Sequence, residues 1–339
     1  MICSCRSLQA SALSFLLFFT SRRGRGRDMS CPNSLLSNPR KIATLRLSKV
    51  SGHTTELLEI QSDKPTCHVL FIPGNPGVVS FYKDFLESLY ELLGATIGHI
   101  SHTEKNWEHG KLFSLQDQID HKVSSFLLYW ISADCWLGWA LIGSYISLEM
   151  LRSLEKVTYL IGLYPFLMLN PLSKQQSNIE NVAESSILSA LLSFSVATLG
   201  LLPQCTLRFM LSKSLGSSWS DTAIDAACIS YLPKHALHGI DGIQKGTIKL
   251  MLPLQIQKKL SEMPDWAFMR ENHEKIAFLF GVDDHWGPLQ MFEEISKQAP
   301  GISLSIEREG HTHGFCCTEA GSEWVAHHVA SLIKKKTSS

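Results

Sequence analysis

Four short segments of this chain carry side chains whose kinds and order suit attack on an ester. Residues 71–77 read FIPGNPG, 139–151 WALIGSYISLEML, 278–288 FLFGVDDHWGP and 309–315 EGHTHGF. Ester cleavage of this type needs a hydroxyl on a tight strand-to-helix turn and backbone N–H groups aimed at the developing oxyanion. It also needs an acid and a histidine later in the chain. Residues 71–77 suit the oxyanion loop, an apolar run turning through Gly74, Asn75, Pro76 and Gly77. Pro76 has no N–H to give, which leaves Asn75 as a donor beside the residue that follows the nucleophile. Such pre-aimed donors contribute roughly 3–4 kcal/mol. A plain Gly/Pro turn is the alternative.

Asp284 lies just past an apolar run, where a triad acid belongs, with Asp283 as its rival. His313 lies a few residues beyond another run, where the base belongs, and His311 is two residues away. His285, His311, His313 and the two aspartates also resemble a hydrolytic metal set. No HExxH or CxxC accompanies them, and neither a metal nor another cofactor is expected. Residues 139–151 have the outline of the nucleophile turn without a nucleophile.

Chemistry of this kind requires a scaffold that brings distant loops to one edge. Residues 41–60 alternate apolar and polar positions (Ile42, Leu45, Leu47, then Leu57, Leu58, Ile60) about Ser51-Gly52, which predicts a β-hairpin. Apolar runs at 67–74, 95–101, 157–164 and 275–281 predict buried strands, another strand is expected to end at 140–143, and 301–307 alternates. Helices are predicted at 81–93, 115–128, 144–154 and 322–335; in the first, Phe81, Phe85, Leu89 and Leu92 share a face. Strands alternating with helices give an α/β fold with a largely parallel sheet.

Residues 170–270 interrupt that pattern, and 185–207 (SSILSALLSFSVATLGLLPQCTL) hold no charge. The stretch is long enough to cross a bilayer, but serines, Gly200, Pro203 and Gln204 dilute it. It reads as a helical lid or a surface-inserting segment, with Leu188, Leu191, Leu192, Phe194, Leu199, Leu201 and Leu202 as lipid contacts. A soluble core segment is the alternative. The expected organisation is a leader (1–40), a first half-core (41–169), the lid (170–270) and a second half-core (271–335).

Composition narrows the class. Among 339 residues, 45% are apolar and 18% charged with no net charge, so the chain is globular and nucleic acid is not an expected partner. Cys67, Cys135, Cys205 and Cys228 are scattered through apolar segments and Cys316-Cys317 are adjacent, a pattern of reduced, intracellular thiols. Near the start, SALSFLLFFT (11–20) precedes Arg22, Arg23, Arg25 and Arg27. A signal peptide places its charge first, so the leader reads as a loose transit-type sequence or as dispensable, with Met29 an alternative start.

The PGNPG loop (73–77), Ile142-Gly143-Ser144-Tyr145, the D-x-W-x-P pattern from Asp284 and the late His313-Gly314-Phe315 together resemble the lipid droplet-associated hydrolases, over residues from about 41 to 335. The resemblance implies an α/β-hydrolase fold, a mostly parallel mixed sheet flanked by helices and carrying the lid insertion. It implies serine-type hydrolysis of a lipid ester, as in neutral-lipid or sterol-ester turnover. The site is then a lipid droplet or membrane surface, on the cytosolic face of the endoplasmic reticulum. Carried onto this chain, it assigns Asp284 as acid, His313 as base, and the N–H groups of Asn75 and Ile142 as oxyanion donors.

The same resemblance exposes the defect. The family's elbow reads Gly-His-Ser-Ile-Gly-Ser-Tyr, so Leu141 stands in the nucleophile's place and Ala140 in the histidine's. Ser144 is the nearest hydroxyl, about one helical turn too far along. Loss of the nucleophile costs about a millionfold in turnover, so the chain is expected to be inactive as written. The competing class is a non-enzymatic droplet-binding or scaffold protein. Codons for Gly138-Trp139-Ala140-Leu141, shifted by one base, can spell Val-Gly-His-Ser. A frameshift or gene-model error ending near Leu141 and a genuine inactive paralogue are both open origins.

Overall fold

The computed structural model describes residues 42–338, apart from 64, 66, 75–77, 95, 103–113, 130–134, 171–172, 174–175, 178–184, 186, 189–201, 216–218, 232–259, 261–262 and 285. The chain enters through a hairpin of β1 (Thr44–Val50) and β2 (His53–Ile60). Val50 pairs with His53, leaving a two-residue loop in which Ser51 (φ 50°) and Gly52 (φ 82°) are both left-handed. That geometry matches the twist of the strands it joins. Next come β3 (His68–Ile72), α1 (Lys83–Leu93), β4 (Thr96–His102), α2 (Leu115–Tyr129), β5 (Cys135–Leu141), α3 (Ile142–Ser153) and β6 (Val157–Pro165). Among the described residues, the helices α4 (Gln204–Leu215), α5 (Asp221–Tyr231) and α6 (Trp266–Glu271) follow. The chain closes with β7 (Ile276–Gly281), α7 (Leu289–Gln298), β8 (Ser303–Glu307) and α8 (Glu319–Thr337).

The strands form one sheet in the order β1-β2-β4-β3-β5-β6-β7-β8. The β1–β2 and β2–β4 pairs are antiparallel, and the remaining pairs are parallel. Because side chains alternate across a sheet, each strand feeds two cores. Val69, Phe71, Ile161, Leu163, Ala277 and Leu279 pack with Phe85 and Leu89 of α1 and with Val325 and Val329 of α8. Leu70, Ile72, Leu160, Phe278 and Phe280 pack with residues of α2, α3 and α7, among them Phe126, Ile146 and Ile295. Each such buried side chain contributes about 1.5–3 kcal/mol. The doubly covered sheet therefore holds its strand ends rigidly enough to carry a site.

Two features of this architecture have physical reasons. The strand expected to end within 140–143 spans Cys135–Leu141, and the helix expected from Ser144 begins two residues earlier, at Ile142. A strand in the middle of a sheet covered on both faces shows no alternation, and the tryptophans at 130, 136 and 139 hid it further. Secondly, α4 and α5 lie within the 170–270 interruption and pack onto the core that holds α1 and α8, through Leu207, Leu211, Ala223 and Ile224. Ser220, capping α5 by accepting from Ala223 N–H at 3.1 Å, also donates its own N–H to Cys317 O at 2.8 Å. Among the described residues, no helix is long and apolar enough to cross a membrane.

Candidate active site

Asp284 and His313 meet at the ends of β7 and β8. Strand β7 is buried throughout and stops at Gly281, after which a tight turn presents Asp284. The aspartate is buried and every carboxylate oxygen is used. Oδ1 accepts the N–H groups of Trp286 (2.8 Å) and Gly287 (3.0 Å). Oδ2 accepts the backbone N–H of His313 (2.7 Å) and faces its ring Nδ1 (2.8 Å). A carboxylate only accepts, so the Nδ1 proton lies between them and the neutral ring is left with its lone pair on Nε2. Burial alone would raise the Asp284 pKa. The charge that His313 carries when protonated and its hydrogen bond outweigh burial, with help from the Gly287 and His313 N–H groups, and hold the carboxyl at about 2.

Their neighbours separate from them. Asp283 is exposed, and His311 is only partly covered, burial lowering its pKa. His311 stands against Trp324 (6.1 Å between rings) rather than on Asp284. His285 lies outside the described residues. Among the described residues, no group of three metal-type ligands converges.

The junction of β5 and α3 has the form of a nucleophile elbow, with Leu141 as the last strand residue and Ile142 as the first of the helix. The pairing with β6 shifts register between Ala140 and Leu141. Gly143 makes the turn sterically possible: a Cβ there would lie 2.8 Å from Ile72 O and 3.1 Å from Pro73 O. The same contact brings the end of β3, and with it the entry to residues 74–77, against the start of α3. Ile142 is buried. Ser144 packs against β6. It is fully buried, and its Oγ would lie 3.1 Å from a Cβ built on Gly162 of β6, with no hydrogen-bond partner. A hydroxyl held against the sheet interior is not placed to substitute for position 141.

Asn75 lies outside the described residues, but the loop's entry is fixed. Gly74 N–H donates to the Tyr82 hydroxyl at 3.4 Å. Tyr82 belongs to the short 3-10 turn Val79–Tyr82 and stacks at a tilt on Phe71 (4.7 Å). It is buried, and burial together with the neighbouring Cys316 pushes its pKa well up, so it stays neutral.

Of the apolar residues expected at a lipid surface, Leu188 is exposed beside Ile187, whereas Leu202 is partly buried against the core. Leu191, Leu192, Phe194, Leu199 and Leu201 lie outside the described residues. Phe209 and Met210 of α4, which sequence reading passed over, are also exposed, at 62% and 41%.

Two further residues near the acid and base escaped sequence reading. Tyr164, fully buried at the end of β6, has φ 49°, a left-handed value rare in residues with a side chain. Its ring stacks on Phe315 (5.9 Å) and fills the space beside Gly281, where a Cβ would meet Tyr164 Cε1 at 2.9 Å. Glu307, the last residue of β8, is fully buried with its carboxylate toward the histidine loop. Nothing in one sequence marks a strand-end glutamate as buried.

Comparison with known proteins accords with this geometry. The family model described as lipid-droplet associated hydrolase matches residues 65–316. The lipid droplet-associated hydrolase of Gallus gallus is 24% identical over 300 residues, covering 77% of this chain and 83% of its own. That of Homo sapiens is 26% identical over 291 residues, covering 78% and 84%. That of Dictyostelium discoideum is 24% identical over 313, covering 82% and 94%. Among solved structures, the haloalkane dehalogenase DbeA of Bradyrhizobium elkani superposes with a TM-score of 0.61 at 14% identity, covering 88% of this chain and all of that one. A membrane phospholipase A superposes at 0.59 and 12% identity, covering 97% and 92%. At such identities the solved structures establish the fold alone: these are α/β-hydrolases.

Proposed function

The chain belongs to the lipid-droplet associated hydrolase family, and from that premise we propose that it is a serine-type lipid ester hydrolase scaffold of the droplet surface, disabled at its nucleophile as written. One observation carries this reading: a fully bonded Asp284–His313 pair coexists with Leu141 at the strand–helix junction.

With serine at 141, the chemistry is as follows. The hydroxyl oxygen bonds to the ester carbonyl carbon while His313 Nε2 takes its proton and Asp284 stabilises the imidazolium. The carbonyl oxygen, now an anion, is received by the N–H groups of Ile142 and Asn75. Collapse breaks the ester C–O bond, His313 returns the proton to the departing alcohol, and water then releases the fatty acid by the same route. With Leu141 the first bond cannot form. The chain then retains lipid without turning it over, as a droplet-binding or scaffold protein.

Exposed Ile187, Leu188, Phe209 and Met210 support contact with a lipid surface, and the names of the relatives place those proteins at droplets. The cytosolic face of the droplet or endoplasmic reticulum is the corresponding location. No step calls for a metal or an organic cofactor.

The test pairs two assays. The parent and an Ala140→His, Leu141→Ser version are compared on neutral-lipid and sterol esters, with activity expected only in the second. Parent activity that survives Ser144→Ala and disappears with His313→Ala would overturn the disabled-enzyme reading. A fluorescent fusion with and without residues 185–207 addresses the surface, with droplet targeting expected to fall on deletion and unchanged targeting refuting that part.

A further inference from the structure

We propose that Glu307 is a positioning residue, a buried carboxylate that clamps the histidine loop to the acid turn and so holds His313 on Asp284. The inference rests on reading Asp284 and His313 as an acid–base pair, but not on any turnover.

The two turns leave the sheet side by side, because Gly281 of β7 pairs with Glu307 of β8. From that point Glu307 holds both. Its backbone oxygen accepts Val282 N–H (3.3 Å), the first residue of the acid turn. Its side-chain Oε1 accepts Glu309 N–H, and the N–H groups of Gly310 and His311 also act on the carboxylate. His311 O lies 3.2 Å from where a Gly281 Cβ would stand, with the Tyr164 ring on the other side. The loop from 308 to 312 is thus pinned at the last pair of the β7–β8 register, Gly281 with Glu307. His313 leaves it aimed at Asp284, itself reached only three residues after Gly281.

Such a carboxylate is an unusual expense in a site with 0% exposure, since Oε2 has no hydrogen-bond partner. An apolar residue ending β8 would pack without that cost. What it could not do is accept loop N–H groups.

The test reads the His313 Nδ1 proton directly, by proton and nitrogen NMR on the full chain, with no substrate present. The parent should show a far-downfield, slowly exchanging resonance; its absence would remove the pair itself and the proposal with it. Glu307→Gln, which keeps an acceptor oxygen, should keep the resonance. Glu307→Leu, of similar volume without an acceptor, should lose it or speed its exchange at least about tenfold. A Leu variant whose resonance matches the parent's overturns the clamp while leaving the acid–base reading intact. Should that variant fail to fold, amide exchange in the parent decides: protected 309–311 amides support the clamp, and open-loop exchange there overturns it.

Discussion

The two ends of this site have been maintained by different forces. At the acid–base end, hydrogen bonds set the geometry: four of them fill Asp284, and the loop that brings His313 is bonded back to Glu307. At the elbow, what remains is steric. Gly143 fits under Ile72 O, Ser144 fills the space by Gly162, and Ile142 is buried, while the position that would react holds an aliphatic side chain. Hydrogen-bonded charge fixes the first end, and close packing fixes the second. The strand–helix junction therefore keeps close packing with a leucine at position 141.

Restoring that atom is the strongest way to break the contrast. Ala140→His with Leu141→Ser should raise ester turnover by as much as about a millionfold over the parent, measured by fatty-acid release. Adding His313→Ala should return it nearly to the parental level, because the members of such a set act as one unit.

Gly143→Ala tests the steric end. Alanine favours helix by about 1 kcal/mol over glycine, but its Cβ would sit 2.8 Å from a backbone oxygen. The clash wins, and denaturant unfolding should show a net loss of about 1–3 kcal/mol.

Asp284→Asn tests the electrostatic end. The folded carboxyl titrates at about 2, below its ordinary 3.8. Its stabilisation is therefore complete above about pH 4 and is lost as the pH falls through about 2. The gap between parent and variant in thermal or denaturant unfolding should be about 2 kcal/mol near neutrality and close below pH 4. A gap that widens in acid would reverse the assignment. Smallest of all, Ser144→Ala removes a buried hydroxyl with no partner, so stability should change by less than about 1 kcal/mol and restored activity should persist.

Sequence made the acid end legible to within a residue, because a fully apolar run ending in Gly281 places an acid just beyond it but does not choose between Asp283 and Asp284. The hairpin was legible because Ser51-Gly52 interrupts an alternating pattern at the position its register demands. The elbow was half legible: Ile142 to Tyr145 declared the helix, but β5 carries no pattern of its own because neighbours on both sides, not periodicity, make it a strand. Glu307 and Tyr164 could not be read at all. Their roles depend on pairing between strands and on a left-handed backbone angle, and neither is written in local composition.

The seating of Gly143 beneath the end of β3 also bears on what a cell can notice. Chaperones and proteases sort chains by how often they open, and shifts of 1–2 kcal/mol alter abundance several-fold. A change at Gly143 would be seen by that machinery and thinned out. The atoms that a Cβ on Gly143 would meet belong to Ile72 and Pro73, so the packing that such sorting reads is set by the end of β3.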